Sequence, residues 1–187
     1  MSHCTPNWNG RARCLALTLA IALASSCSTD TVPTSTRDSA AHFQTDSSAY
    51  TLNAGVIGYD GSLVVTYING TTRATSFENC RGSTSFTFEK LVGTVWQSVW
   101  SPAVLLCYGP PIVVLPGRTH VFDISVFGGY PDCNCGPRFS TPDIPGLYRI
   151  VWNVGYATDP ANAGGARDTL RLDQRVSNQF VLKVQSR

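Results

Sequence analysis

Methionine is absent after Met1, and of three histidines only His120 falls within the part of the chain patterned like a folded domain. Copper and zinc centres need several soft or imidazole ligands gathered together, so this scarcity argues against a metal cofactor, and no other cofactor is indicated. No apolar run reaches the roughly 20 residues that a membrane-spanning helix requires; "PPIVVLPG", residues 110–117, is far too brief. Past the first thirty residues no stretch keeps a 3.6-residue apolar period, so helices are not expected there. No glycine-rich loop follows a strand and opens a helix, which removes the usual phosphate cradle. A basic cluster is missing as well. The formal +2 is due to Arg11 and Arg13. Taking these two from the 14 Lys and Arg leaves twelve basic residues against 12 acidic ones, all beyond Cys27. A neutral chain without a basic face is not built for nucleic acid.

What is present begins with an export signal. Arg11 and Arg13 precede the uncharged stretch Cys14–Ala24, "CLALTLAIALA", a charged region followed by an apolar core of secretory length. Two exits from it compete. Ala22-Leu23-Ala24 has the small-x-small form cut by ordinary signal peptidase. Leu23-Ala24-Ser25-Ser26-Cys27 resembles the lipobox of bacterial lipoproteins, which implies cleavage before Cys27 and a lipid on its thiol. Cysteine parity favours the second exit. Of seven cysteines, Cys4 and Cys14 leave with the signal; a lipidated Cys27 leaves Cys80, Cys107, Cys133 and Cys135, an even set for an oxidising compartment. The protein is thus expected in the cell envelope, held to a membrane by lipid, with a secreted or periplasmic form as the alternative.

Three segments follow: a signal over residues 1–26, a tether over 27–48, and a domain over 49–187. The tether, "STDTVPTSTRDSAAHFQTDSS" after Cys27, is rich in Ser, Thr and Asp and poor in large apolar residues, a composition that favours disorder. His42 and Phe43 receive no role in it. Beyond residue 49, apolar and polar residues alternate repeatedly. Leu63, Val65 and Tyr67 share one face of "SLVVTYING", with Asn69-Gly70 as a tight turn. Phe86 and Phe88, then Phe122, Ile124 and Val126, then Tyr148, Ile150, Trp152 and Val154, then Phe180, Leu182 and Val184 repeat the pattern. Gly and Pro punctuate the runs. An all-β, antiparallel sandwich of about seven strands is expected, with Trp96, Trp100 and Trp152 as core or near-core bulk.

"VVLPGRTHVFDI", "IPGLYRIVWNV" and "VSNQFVLKV", in this order, resemble bacterial immunoglobulin-like domains, including those akin to the intracellular proteinase-inhibitor fold. The resemblance covers roughly Tyr50 to Val184. It implies an immunoglobulin-like fold and leaves open an inhibitor activity, for which no inhibitory loop can be matched residue by residue. Asp143, Gly146 and Tyr148 have the order of a tyrosine corner, in which a Tyr hydroxyl bonds to backbone a few residues upstream. Ile150 stands where antibody domains carry a disulfide cysteine.

Pairing Cys80 with Cys107 would close a loop worth about 3.5 kcal/mol in the chain-entropy treatment. Cys133 and Cys135, in "GGYPDCNCGPRF", would then form a small ring that is strained and readily reduced. Three pairings of the four cysteines are nonetheless possible. A thiol or metal site at Cys133 and Cys135 is one alternative function. Catalysis finds little support: His120, Lys90 and Lys183 are the candidate bases and none lies in a recognisable motif. Glu78, Glu89, Asp123, Asp132 and Asp143 show no acid–base signature. The expectation is a non-enzymatic, lipid-anchored interaction module, with a proteinase inhibitor as the rival. Long segments at Asp132–Pro145 and Ala157–Arg175 are the candidate contact regions.

Overall fold

The computed structural model describes residues 41–80, 82–103, 109–158 and 166–186. The expected signal, Cys27, Cys107 and the expected tether up to residue 40 lie outside the described residues. Among the described residues there are twelve strands: β1 Ala41–Thr45, β2 Ala49–Ala54, β3 Gly58–Asn69, β4 Thr75–Phe77, β5 Phe86–Val92, β6 Val95–Trp100, β7 Ile112–Val114, β8 Thr119–Gly129, β9 Gly146–Trp152, β10 Val154–Ala157, β11 Ala166–Thr169 and β12 Phe180–Ser186. One short 3-10 turn, Leu172–Gln174, accompanies them. The larger sheet has the order β1-β3-β2-β12-β9-β5-β6, with β8 along the other edge of β3; the smaller is β11-β10-β4-β7.

Alternation decides which face turns inward. Leu63, Val65 and Tyr67 of β3 are buried, whereas Ile68 is exposed. Phe122, Ile124 and Val126 of β8 are buried in the same way, as are Phe86 and Phe88 of β5, Tyr148, Ile150 and Trp152 of β9, and Phe180 and Leu182 of β12. The larger sheet folds over, so that these sets meet across a shared core. Trp152 sits at its centre, 4.6 Å from the ring of Phe122 and 5.0 Å from that of Phe86. Trp100 is also buried, while Trp96 is half-buried. The Tyr148 hydroxyl donates to the Ile144 carbonyl at 2.6 Å, the upstream tie expected of it.

Four expectations need correction. The fold is all-β, but the pairing is mixed: β2 runs parallel to β12, from Val181↔Ala49 to Ser186↔Ala54. A parallel pair of the first and last long segments leaves no trace in local alternation. The described residues hold twelve strands rather than about seven, because three- and four-residue strands such as β4, β7, β10 and β11 are too short to show a period.

The folded domain includes Ala41–Thr45, a segment expected to be tether. β1 pairs antiparallel with the end of β3, and Phe43 is only 3% exposed. Phe43 stacks on Trp152 at 4.9 Å and lies 4.5 Å from the ring of Tyr67. Asn178 fastens β1 from the other side: its Oδ1 accepts from Thr45 N–H, and its Nδ2 donates to Thr45 Oγ1, both at 2.7 Å. One aromatic among Ser and Thr was enough to seat a strand, and composition could not register it.

Asn69-Gly70 closes no hairpin. Asn69 is buried, its amide donates to Val114 and Arg73 carbonyls, and its Oδ1 accepts from Thr71. It steers the chain from β3 across to β4 in the other sheet.

Candidate functional site

Three exposed apolar side chains, Val56, Ile57 and Phe127, lie at one pole of the fold, where β3 begins and β8 ends; others, such as Ile68 and Val121 toward the opposite end of these strands and Val92 and Val95 on β5 and β6, are exposed elsewhere. Three glycines let the chain pack closely at that pole. Gly58 pairs with Gly129 and Tyr59 with Gly128. A Cβ on Gly58 would lie 2.2 Å from the Gly128 carbonyl oxygen. On Gly128 it would meet the Phe139 ring at 2.7 Å and Trp100 Nε1 at 2.8 Å; on Gly129 it would strike Sγ of Cys135 at 2.1 Å and of Cys133 at 2.3 Å. An aromatic pair and a disulfide therefore rest directly on bare backbone. Trp100 Nε1–H donates to the Phe127 carbonyl at 3.2 Å, fixing that pair.

Cys133 and Cys135 are joined by a disulfide. Their loop returns onto β8: Gly129 N–H donates to the Pro137 carbonyl at 2.9 Å, and Phe139 N–H to the Gly129 carbonyl at 3.1 Å. Within it, Arg138 Nη1 donates to the Cys133 carbonyl at 3.0 Å. Tyr130 then joins this loop to the β2–β3 turn, its hydroxyl donating to the Gly55 carbonyl at 2.6 Å. That bond sets Val56 (97% exposed), Ile57 (64%) and Phe127 (47%) beside the disulfide. Together with Tyr130, Asp132, Cys133 and Cys135 they line a shallow cavity of about 440 Å³. A ring of three residues restrains the unfolded chain by only about 1.6 kcal/mol in the loop-entropy treatment, so this bridge adds little to global stability.

Of the cysteines expected to pair, Cys80 is disulfide-bonded and Cys133–Cys135 is formed. Cys107, the partner expected for Cys80, lies outside the described residues. Among the described residues no three His, Cys, Asp or Glu side chains gather as a metal-holding group.

The candidate bases are dispersed. The His120 ring packs edge-on against Phe122 at 4.6 Å, and burial pushes its imidazole below the ordinary value. It borders a cavity of about 540 Å³ that also touches Asn79, Ser83, Thr84, Asp123 and Ser125. Among the described residues no hydrogen bond joins it to an acid or a hydroxyl. Lys90, 5% exposed, donates from Nζ to the Asp143 carbonyl and to Asp143 Oδ2, the latter at 2.7 Å. Glu89 pairs with Arg149 at 2.6 Å, and the guanidinium lies over the Trp96 ring at 4.4 Å. Glu78, Asp123 and Asp132 are exposed, as is Lys183. Of these groups His120 and Asp123 line the same cavity, Lys90 is paired with Asp143, and Glu89 with Arg149.

Of the two long segments expected to make contacts, Asp132–Pro145 supplies Asp132, Cys133 and Cys135 to the cavity at the apolar pole. Ala157–Arg175 instead includes β11, paired with β10, and the 3-10 turn; residues 159–165 lie outside the described residues. Val56, Ile57, Phe127 and Tyr130 escape a reading by alternation. The available signal was "AGVIGYDG", two branched apolar residues set between glycines where a turn should be polar.

No protein-family model matches the chain, and no curated protein matches it. Among solved structures, a beta-glucosidase from Listeria innocua in complex with glucose is 15% identical at a TM-score of 0.30, over 76% of this chain and 16% of its own. A mutant of that beta-glucosidase in complex with laminaribiose gives 14% identity and the same TM-score and coverage. The chain spans 16% of those enzymes' length, and likeness at this level carries no argument about fold or activity.

Proposed function

We propose that the protein is exported, anchored through a lipid on Cys27, and serves as a non-enzymatic binding module built on an immunoglobulin-like sandwich. The immunoglobulin-like reading is supported by the first extended segment, which pairs antiparallel with β3 and then parallel with β12, and by the Tyr148 tie. The observation that carries the function is the position of the apolar pole. The described chain enters at Ala41 beside Asn69, whereas Ala54 pairs with Tyr59 at the opposite end of β3. Twelve residues of strand separate the two ends, about 36 Å at the usual rise. The apolar tip thus lies at the opposite end of β3 from Ala41, where the described chain begins. Val56, Ile57 and Phe127 form a compact greasy surface backed by tightly packed glycines, the kind of surface that water does not stabilise and a partner polypeptide does.

Two measurements test this. Intact mass of membrane-extracted protein should show a chain starting at Cys27 and carrying acyl groups; cleavage after Ala24 with no lipid would remove the anchor. A photo-crosslinker at Ile57, used in the producing cells, should yield a discrete protein adduct that Val56→Asp abolishes. The absence of any adduct would remove the module reading. Incubation with a panel of proteases should show no inhibition, separating this function from the inhibitor alternative.

A further inference from the structure

We infer that the Cys133–Cys135 disulfide exchanges with thiols of a polypeptide seated on the apolar pole. The choice of polypeptide rests on the module reading above; the sulfur chemistry does not.

A bridge that served only to brace the sandwich would tie distant strands together. This one joins residues two apart, in a loop that backbone bonds from Gly129 and Phe139 already hold to β8. Opening it leaves those bonds in place. Nor is it sealed in the core: Cys135 is exposed and Cys133 half-buried. On their inner side the sulfurs face Gly129, where no side chain intervenes. Val56, Ile57 and Phe127 form the adjoining rim, so an apolar segment docking there brings its own cysteines to the disulfide. The Arg138 guanidinium, bonded at the Cys133 carbonyl, places positive charge near a departing Cys133 thiolate; Asp132 in the cavity wall works against it. Lowering the leaving thiol's pKa speeds exchange.

The exchange balances as follows. A substrate thiolate attacks Sγ of Cys135, the more exposed residue of the pair. The Cys133–Cys135 bond breaks and its electron pair leaves on Cys133, which takes up the proton released by the substrate thiol. A second substrate thiolate then attacks the substrate sulfur of the mixed disulfide and expels Cys135 as thiolate, which is protonated in turn. The substrate dithiol is oxidised to a disulfide, and Cys133 and Cys135 are reduced to thiols. A small disulfide such as oxidised glutathione restores the bridge by the same steps reversed.

The test uses the full chain, equilibrated in glutathione buffers of stepped ratio, quenched in acid, alkylated and mapped by mass. Cys133 and Cys135 should titrate together while tryptophan fluorescence stays native and Cys80 stays oxidised. A pair that remains oxidised until the protein unfolds overturns the proposal. In a second arm, oxidised protein meets either dithiothreitol or a reduced peptide bearing two cysteines beside an apolar segment. The peptide should be oxidised one disulfide per chain, and Cys133→Ser/Cys135→Ser should abolish this. Val56→Asp/Ile57→Asp should slow the peptide about tenfold, equivalent to about 1.4 kcal/mol, and leave dithiothreitol unaffected. A peptide rate that Val56→Asp/Ile57→Asp leaves unchanged would overturn the polypeptide substrate at this pole, while titration in the first arm would still stand and crosslinking at Ile57 would decide the module reading by itself.

Discussion

Tyr148 shows how much one hydroxyl can do. Its ring is buried in β9 and its oxygen satisfies the carbonyl of Ile144, a residue only 1% exposed. Tyr148→Phe keeps the ring and strands that carbonyl without a donor, which costs about 1–3 kcal/mol. Urea unfolding should show the unfolding free energy fall by that amount, through a lower midpoint at an unchanged slope; an unaltered midpoint would mean that water replaces the hydroxyl. This residue could be read from sequence because its partner lies four positions away. Tyr130 could not: its partner is the Gly55 carbonyl, a contact made only once β2, β3 and β8 have assembled. The same holds for Gly129, whose need to lack a Cβ comes from two sulfurs that fold back over it. Half of the candidate site, Cys133 and Cys135, was legible as chemistry. The other half, Val56, Ile57 and Phe127, was legible only as an oddity of composition, since exposure is a property of the assembled pole.

Among the strands, long ones announce themselves and short ones do not. β3, β8, β9 and β12 each present at least two alternating large apolar residues, and each buries the face that the alternation predicts. β1 has a single one, Phe43, in five residues. It nevertheless touches Tyr67, Phe77 and Trp152 through that ring, so its contribution to stability is large for its length. Truncating a buried Phe costs about 3–5 kcal/mol, and Phe43→Ala should lower stability by an amount in that range. The element can also be removed whole. A chain comprising residues 41–187 should unfold cooperatively, whereas one comprising 49–187 should expose the ring of Trp152 and bind a hydrophobic dye. Equal stability of the two chains would return β1 to the tether. The parallel pairing of β2 with β12 belongs to this scale as well. It depends on a switch at Asp46–Ser48, where Thr45 Oγ1 donates to the Ser47 carbonyl and Ser47 N–H to the Tyr50 hydroxyl, and no period of apolar residues encodes such a switch.

Over the whole molecule, the fold is a shared aromatic core with ionisable groups drawn toward it, and this shapes its response to pH. Burial pushes the Tyr50 and Tyr67 hydroxyls up to about 12, the former aided by its bond to Asp46, and raises Tyr148 too. In the unfolded chain these phenols ionise near the ordinary 10. A raised value in the fold means that the neutral form is the one accommodated. Their stabilisation is therefore complete below about pH 10 and is lost as pH climbs through the raised values. His120 is displaced the other way, downward by burial. Its neutral imidazole suits the fold, so its contribution is complete above the unfolded value of about 6.5 and falls away as pH drops below it. A plateau should thus extend from about pH 6.5 to about pH 10, with an acid limb that His120→Gln flattens and an alkaline limb that Tyr67→Phe shallows. Urea midpoints taken across that span check it. A midpoint that holds steady well above pH 10 would mean that these phenols ionise within the fold as freely as in the unfolded chain, against the burial that surrounds them.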